Sequence, residues 1–184
     1  MTYLGIDIGS TCAKSVIMNK ERGILDTFVI PTGWSSLEAL KEIKEKLRIK
    51  GYNFEDMYCI STGYGRQAVE GAKKRVTEIT CHAKGASVLF GEDTFNIVDI
   101  GGQDTKVISC HKGKVMEFYM NDKCSAGTGK FLEIMANRLN VTLADLDRIA
   151  RDHTEQLQIS AMCTVFAESE IVSLIGQGTS KPDR

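Results

Sequence analysis

One short frame occurs twice in this 184-residue chain. Asp7-Ile8-Gly9-Ser10-Thr11-Cys12-Ala13-Lys14 and Asp99-Ile100-Gly101-Gly102-Gln103-Asp104-Thr105-Lys106 both read D-I-G, four residues, then K. The flanks repeat as well. An apolar run leads into each frame, Leu4 to Ile8 and then Ile97 to Ile100. A β-rich run follows each, Ser15 to Met18 and Val107 to Ser109. Each run reaches a glycine-bearing turn, at Gly23 and at Gly113, and a third run follows, Leu25 to Ile30 and Lys114 to Met120. This pattern predicts the same three-stranded meander twice. A repeat at this spacing points to two similar lobes, residues 1–94 and 95–184, rather than to a solenoid, whose periods run ~20–50 residues.

The repeated loops carry a chemistry. Each is a tight turn of small residues, so its backbone N–H groups can approach an anion closely and form a concave nest. Each is led by an aspartate at a strand end, a poor neighbour for bare phosphate but a good one for hydrated Mg²⁺ or a water. Two such hairpins facing one another are expected to clamp a polyphosphate. Asp7, with Asp99 or Asp104, is the candidate organiser of Mg²⁺ and the attacking water, and Gln103 is a candidate to orient that water. Gly9, Ser10, Thr11, Cys12, Ala13 and Lys14, with Gly101, Gly102 and Gln103, are the candidate nucleotide-binding residues. Other phosphate motifs fail. A dinucleotide-binding fingerprint needs a helix after its glycines, whereas Lys14 to Met18 reads as strand. Thr128-Gly129-Lys130 imitates the end of a Walker A loop, but Cys124 and Phe131 stand where that motif needs Gly and Ser or Thr.

Between and after the hairpins the periodicity turns helical. Ser35-Ser36-Leu37-Glu38 fits a capping box, with Leu37, Leu40, Ile43 and Leu47 as the apolar face and Gly51 as the stop. Met57 to Thr62 reads as strand, and Arg66 to Ala72 and His82 to Phe90 as helices. Thr128 to Leu139, Leu143 to Arg151 and Val165 to Ile175 complete the set, with Phe131, Met135 and Leu139 spaced i, i+4, i+8.

Six cysteines are present, with no C-x-x-C pair, so a zinc knuckle or ferredoxin loop within one chain is disfavoured. Cys124 and Cys163 stand out because each precedes a predicted helix, where free N–H groups favour thiolate or an anionic ligand. Two thiolates per chain cannot complete a four-thiolate cluster, but two chains on a twofold axis can. On these grounds plain core or surface thiols are the default, with a reactive thiol pair as the other reading. Lys+Arg is 23 and Asp+Glu 24, a net charge of −1 with no basic excess for nucleic acid or anionic lipid. No apolar run nears the ~18 residues of a membrane span, and the N-terminus lacks a signal-peptide pattern, so a cytoplasmic location is expected.

Six segments together resemble one family. They are Leu4 to Thr11, Thr62-Gly63-Tyr64-Gly65-Arg66, Cys81 to Ala86, Asp99 to Asp104, Asn121 to Gly129 and Cys163 to Glu170. The chain is similar to the activators of 2-hydroxyacyl-CoA dehydratases, related to the ATPase subunits of benzoyl-CoA reductase. The resemblance implies an α/β fold of duplicated actin/hexokinase-like (ribonuclease H-like) lobes, shared with acetate and sugar kinases and heat-shock chaperones. It implies ATP or ADP with Mg²⁺, and a homodimer bridging one 4Fe–4S cluster through Cys124 and Cys163. It implies one-electron transfer from ferredoxin or flavodoxin to a dehydratase or CoA-ester reductase partner. Members continue beyond Gln177-Gly178 into further helices and a glycine-rich segment at the adenosine, so a truncated second lobe is expected here. Two other readings of the same superfold stand beside this one: a small-molecule kinase without iron, and a nucleotide-gated binding protein without turnover.

Overall fold

Apolar residues alternate along the N-terminal run, and in the computed structural model, which describes residues 1–183, that alternation becomes a strand with one buried face. β1 (Thr2–Ile8) turns Leu4, Ile6 and Ile8 inward. β2 (Cys12–Met18) pairs antiparallel with it in the register Ile6↔Ser15 and Asp7↔Lys14, and β3 (Ile24–Pro31) pairs antiparallel with β2. β4 (Met57–Thr62) joins the other side of β1 in parallel, and β5 (Lys74–Arg75) extends β4, giving the order β3-β2-β1-β4-β5. A parallel pair needs a crossover, and α1 (Ser36–Ile49) supplies it. Ala39, Leu40, Ile43 and Leu47 of α1 are buried in one cluster with Leu4, Ile6, Ile8 and Ile17. Each fully buried Leu or Ile of this kind contributes roughly 1.5–3 kcal/mol.

The second meander is a three-stranded sheet of β6 (Thr94–Ile100), β7 (Thr105–His111) and β8 (Lys114–Asn121), in that order. α2 (Glu78–Phe90) buries Ala83 with Ile108 and Cys110, flanked by Ile79, Phe95 and Val115. Three helices follow: α3 (Gly129–Arg138), α4 (Leu143–Ala150) and α5 (Thr164–Gly176). Their shared core is Met135, Leu139, Ala167 and Ile171, with Phe131 and Leu146 packed against it. The described residues fall into two compact units. One holds Met1–Ile97 and Ile108–Phe118; the other holds Val98–Val107 and the residues from Tyr119 onward. No helix among the described residues is long and apolar enough to cross a membrane.

Several sequence expectations shift. The helix expected over Arg66 to Ala72 is a 3₁₀ turn, Tyr64–Ala68, entered through Gly63 at φ +82° and left before Gly71 at φ +87°. Two glycines in the left-handed region break any longer helix. α2 begins at Glu78, not His82, because Thr77 holds the extended N-cap backbone and the Cys81 N–H already bonds the Thr77 carbonyl at 3.1 Å. Leu37 is exposed and Ala39 takes its place on the buried stripe. β5 carries no apolar signal of its own; it exists because Lys73 and Val76 N–H groups reach the Cys59 and Ser61 carbonyls at 2.8 and 2.9 Å.

Candidate functional site

The first D-I-G frame is a β1–β2 turn whose register explains its spacing. Asp7 lies opposite Lys14 in the ladder, and Lys14 Nζ meets Asp7 Oδ2 at 3.0 Å. The turn closes by the Gly9 N–H donating to the Cys12 carbonyl at 3.1 Å, braced by the Thr32 hydroxyl on the Gly9 carbonyl at 2.7 Å. Ser10 and Thr11 form the exposed tip, whereas Ala13 is fully buried and offers only its backbone. Asp7 Oδ1 is buried and accepts no hydrogen bond among the described residues. The T-G-Y-G-R segment accounts for its seclusion. Gly63 packs so closely that a Cβ there would overlap Asp7 Oδ1 and the Ile8 backbone, and Arg66 donates to the Gly63 carbonyl at 3.0 Å. A pocket of about 380 Å³ opens on the same sheet face, with Val16, Val29, Ile60 and Cys81 among its walls and Asp7 and Lys14 as its charges.

The second frame repeats this geometry and adds a charge. The Gly101 N–H donates to the Asp104 carbonyl at 2.8 Å, the counterpart of the Gly9–Cys12 bond. Lys106 Nζ meets Asp99 Oδ2 at 3.3 Å, the counterpart of Lys14 on Asp7, and also Asp104 Oδ2 at 2.9 Å. Lys106 is only 3% exposed and Lys14 is 51% exposed, so the first ion pair is open to solvent and the second lysine is enclosed between two carboxylates. Asp104 is therefore turned inward, while Gly102 and Gln103 form the exposed tip.

This second loop is hydrogen-bonded to α3. The Gly129 and Lys130 N–H groups, among the free donors of the helix start, each donate at 2.9 Å to the Gly101 and Gly102 carbonyls. The Thr105 hydroxyl donates to the Gly127 carbonyl at 2.5 Å. Just upstream, Asn121 organises the loop of Cys124: its Nδ2 donates to the Cys124 and Ala126 carbonyls at 2.9 and 3.1 Å. Its Oδ1 accepts the Cys124 N–H at 3.3 Å. Cys124 is exposed but does not cap α3; Thr128 does, so the dipole argument does not reach this thiol. Cys163 is the N-cap residue of α5. Cys59 and Cys110 are buried packing groups. Burial pushes the Cys59 thiol up to about 11 and raises those of Cys81 and Cys110.

Residues 4–183 match the family model described as the BadF/BadG/BcrA/BcrD ATPase family. The chain belongs to that family. The (R)-2-hydroxyglutaryl-CoA dehydratase activating ATPase of Acidaminococcus fermentans is 43% identical over 182 residues, spanning 98% of this chain and 70% of the relative. The crystal structure of A. fermentans (R)-2-hydroxyglutaryl-CoA dehydratase component A superposes with a TM-score of 0.92 at 42% identity, covering 100% of this chain and 71% of that one. The activator of 2-hydroxyisocaproyl-CoA dehydratase from Clostridium difficile, solved with bound ADPNP, gives a TM-score of 0.91 at 37% identity, covering 100% of this chain and 69% of that one. The duplicated α/β fold and an ATPase role follow from this membership.

Within the BadF/BadG/BcrA/BcrD frame, the donor atoms fit the groups that the sequence implies. Asp7 Oδ1 is a buried carboxylate oxygen with no hydrogen-bond partner among the described residues, a hard donor of the kind that suits Mg²⁺ or its water shell. Cys124 and Cys163 are soft donors, one in the loop before α3 and one at the N-cap of α5, and these two thiols per chain make half a four-thiolate set. Sequence reasoning missed Thr105, Ser125 and Thr164, whose hydroxyls bind across chain separations of 22 and 39 residues. Hydroxyl residues in loops carry no periodic signal, so nothing in the one-dimensional pattern marks them.

Proposed function

We propose that this chain is an ATP-dependent reductive activator. It passes one electron from ferredoxin or flavodoxin, through a 4Fe–4S cluster held jointly by two copies, to a 2-hydroxyacyl-CoA dehydratase or a related CoA-ester reductase. Residues 1–94 and 95–184 serve as its two lobes. The observation that supports this reading is the direct bonding of the Gly101-Gly102 loop to the start of α3, which, with the Thr105–Gly127 bond, joins that turn to the loop of Cys124.

In this reading Cys124 and Cys163 of each copy are the cluster ligands, and the cluster when bound supplies a one-electron carrier. Asp7 would hold Mg²⁺ or its water through Oδ1, with Lys14 paired to Oδ2. The N–H groups of the Gly9 to Lys14 turn and of Gly101 to Gln103 take phosphate oxygens, and Gln103 at its exposed tip orients the attacking water. Asp99 and Asp104 act through Lys106, which fixes the shape of the second turn. Movement of the Gly101-Gly102 carbonyls tilts the first turn of α3 because its N–H groups follow their acceptors.

The test is oxygen-free reconstitution followed by iron, sulfide and mass analysis. One four-iron group per two chains is expected, lost in Cys124→Ser and Cys163→Ser and kept in Cys59→Ser. An intact cluster in Cys124→Ser overturns the assignment.

A further inference from the structure

Ser125 directly follows Cys124, and Thr164 directly follows Cys163. Their hydroxyls meet at 2.9 Å across 39 positions of chain. Each partner is held from its own side. The Ser125 carbonyl accepts from the Thr128 N–H at 3.1 Å and the Thr128 hydroxyl at 2.7 Å, and Thr128 is buried to 1%. Thr164 is the first residue of α5 and is buried, and the Ala167 N–H closes that turn on the Cys163 carbonyl at 3.1 Å. The two hydroxyls therefore join two ordered segments at the residues next to the two thiols. We propose that the Ser125–Thr164 hydroxyl pair is a positioning device that fixes Cys124 and Cys163 relative to one another so that both ligate one shared metal group.

The physical need is geometric. A metal site tolerates about 0.5 Å of error in its ligand atoms, and loop-borne ligands require neighbours that lock them. Cys124 stands on a loop and Cys163 at a helix edge, so neither is placed by a regular ladder. A side-chain bond one residue away from each thiol gives that placement. It also transmits displacement: a shift of the Cys124 loop, which is bonded through Gly127 to Thr105 of the second turn, moves the start of α5 with it. Ser125 and Thr164 are positioning residues and touch no reacting atom.

The proposal rests on the cluster reading above, and its test separates the two. Wild-type, Ser125→Ala, Thr164→Val and the double variant are reconstituted without oxygen, and the loss of iron to a ferrous chelator is followed by absorbance. Thr164→Ser restores the hydroxyl, and Ser169→Ala removes an α5 hydroxyl that bonds only its own helix at the Val165 carbonyl. Each single loss is expected to speed iron release about 5-fold, which corresponds to about 1 kcal/mol at 1.4 kcal/mol per tenfold. The double variant is expected to be no faster than either single one, because one bond is lost in all three. Thr164→Ser and Ser169→Ala are expected to match the wild type. A wild type that holds its cluster, with both single variants releasing iron at the same rate, overturns the positioning role alone. Thr164→Ser releasing iron as fast as Thr164→Val does so too. A wild type that takes up no iron overturns the cluster reading and this proposal together.

Discussion

Gly63→Ala tests whether the T-G-Y-G-R turn exists to seat Asp7. Gly63 sits at φ +82° and ψ −178°, a region of backbone space open almost only to glycine, and forcing alanine there costs roughly 1–3 kcal/mol. The added Cβ would also overlap Asp7 Oδ1 and the Ile8 carbonyl at the end of β1, where Ile8 is fully buried and cannot retreat without disturbing the strand. Together these should cost at least about 3 kcal/mol. Gly33 is the control. It has φ +64° with nothing within 4 Å of its Cβ direction, so Gly33→Ala incurs only the conformational penalty of roughly 1–2 kcal/mol. For a chain of this size each kcal/mol moves Tm by about 2–4 °C, so about 6–12 °C is expected for Gly63→Ala and about 2–8 °C for Gly33→Ala. Thermal denaturation of the two variants measures the gap, and titration with an ATP analogue should show weakened binding only in Gly63→Ala. Equal Tm losses, with binding intact in both, would refute the argument that close backbone approach to Asp7 requires this glycine.

The two frame lysines should behave oppositely. Lys106→Met takes a buried ammonium away from Asp99 and Asp104 and should lower stability by about 3 kcal/mol. Lys14→Met breaks a half-exposed pair and should cost under about 1 kcal/mol while weakening ATP binding. Urea denaturation and nucleotide titration check both, and a mild Lys106→Met would mean that the buried ion pair does not organise the turn. Timed alkylation of the metal-free chain at pH 8, read by peptide mass spectrometry, should modify Cys124 first. Cys59 should lag far behind, because a thiol pushed up to about 11 is only about one part in a thousand thiolate there. The sign for stability follows. The folded state holds that proton more tightly than the unfolded chain, so the Cys59 contribution is full below about pH 8.5 and is lost as pH rises toward 11.

Much of the fold was legible because it rests on periodicity. The alternation in β1 and the stripe Leu40, Ile43, Leu47 are local consequences of which faces must be buried, and they appear where the residues say they should. The duplication was legible for the same reason, since identical short frames between similar runs fold alike. The register then gave the frame its meaning: D-I-G-x₄-K returns the lysine to the position opposite the aspartate, and both copies use it. Legibility failed where glycines set the backbone, as in the turn after Gly63, and where a strand is only an edge pairing, as at Lys74–Arg75.

The residue order alone determined that the same small-residue turn occurs twice and that each is led by a carboxylate, and it singled out Cys124 and Cys163 as the thiols standing just ahead of predicted helices. It could not decide which of the two lysines is buried and which is exposed, because that depends on a third residue, Asp104, folding back onto Lys106. Nor could it reveal that the second turn is bonded to α3 or that Ser125 reaches Thr164. Those links join residues far apart in the chain through single directional bonds, and hydrogen-bond geometry, unlike burial, leaves no periodic trace in the order of amino acids.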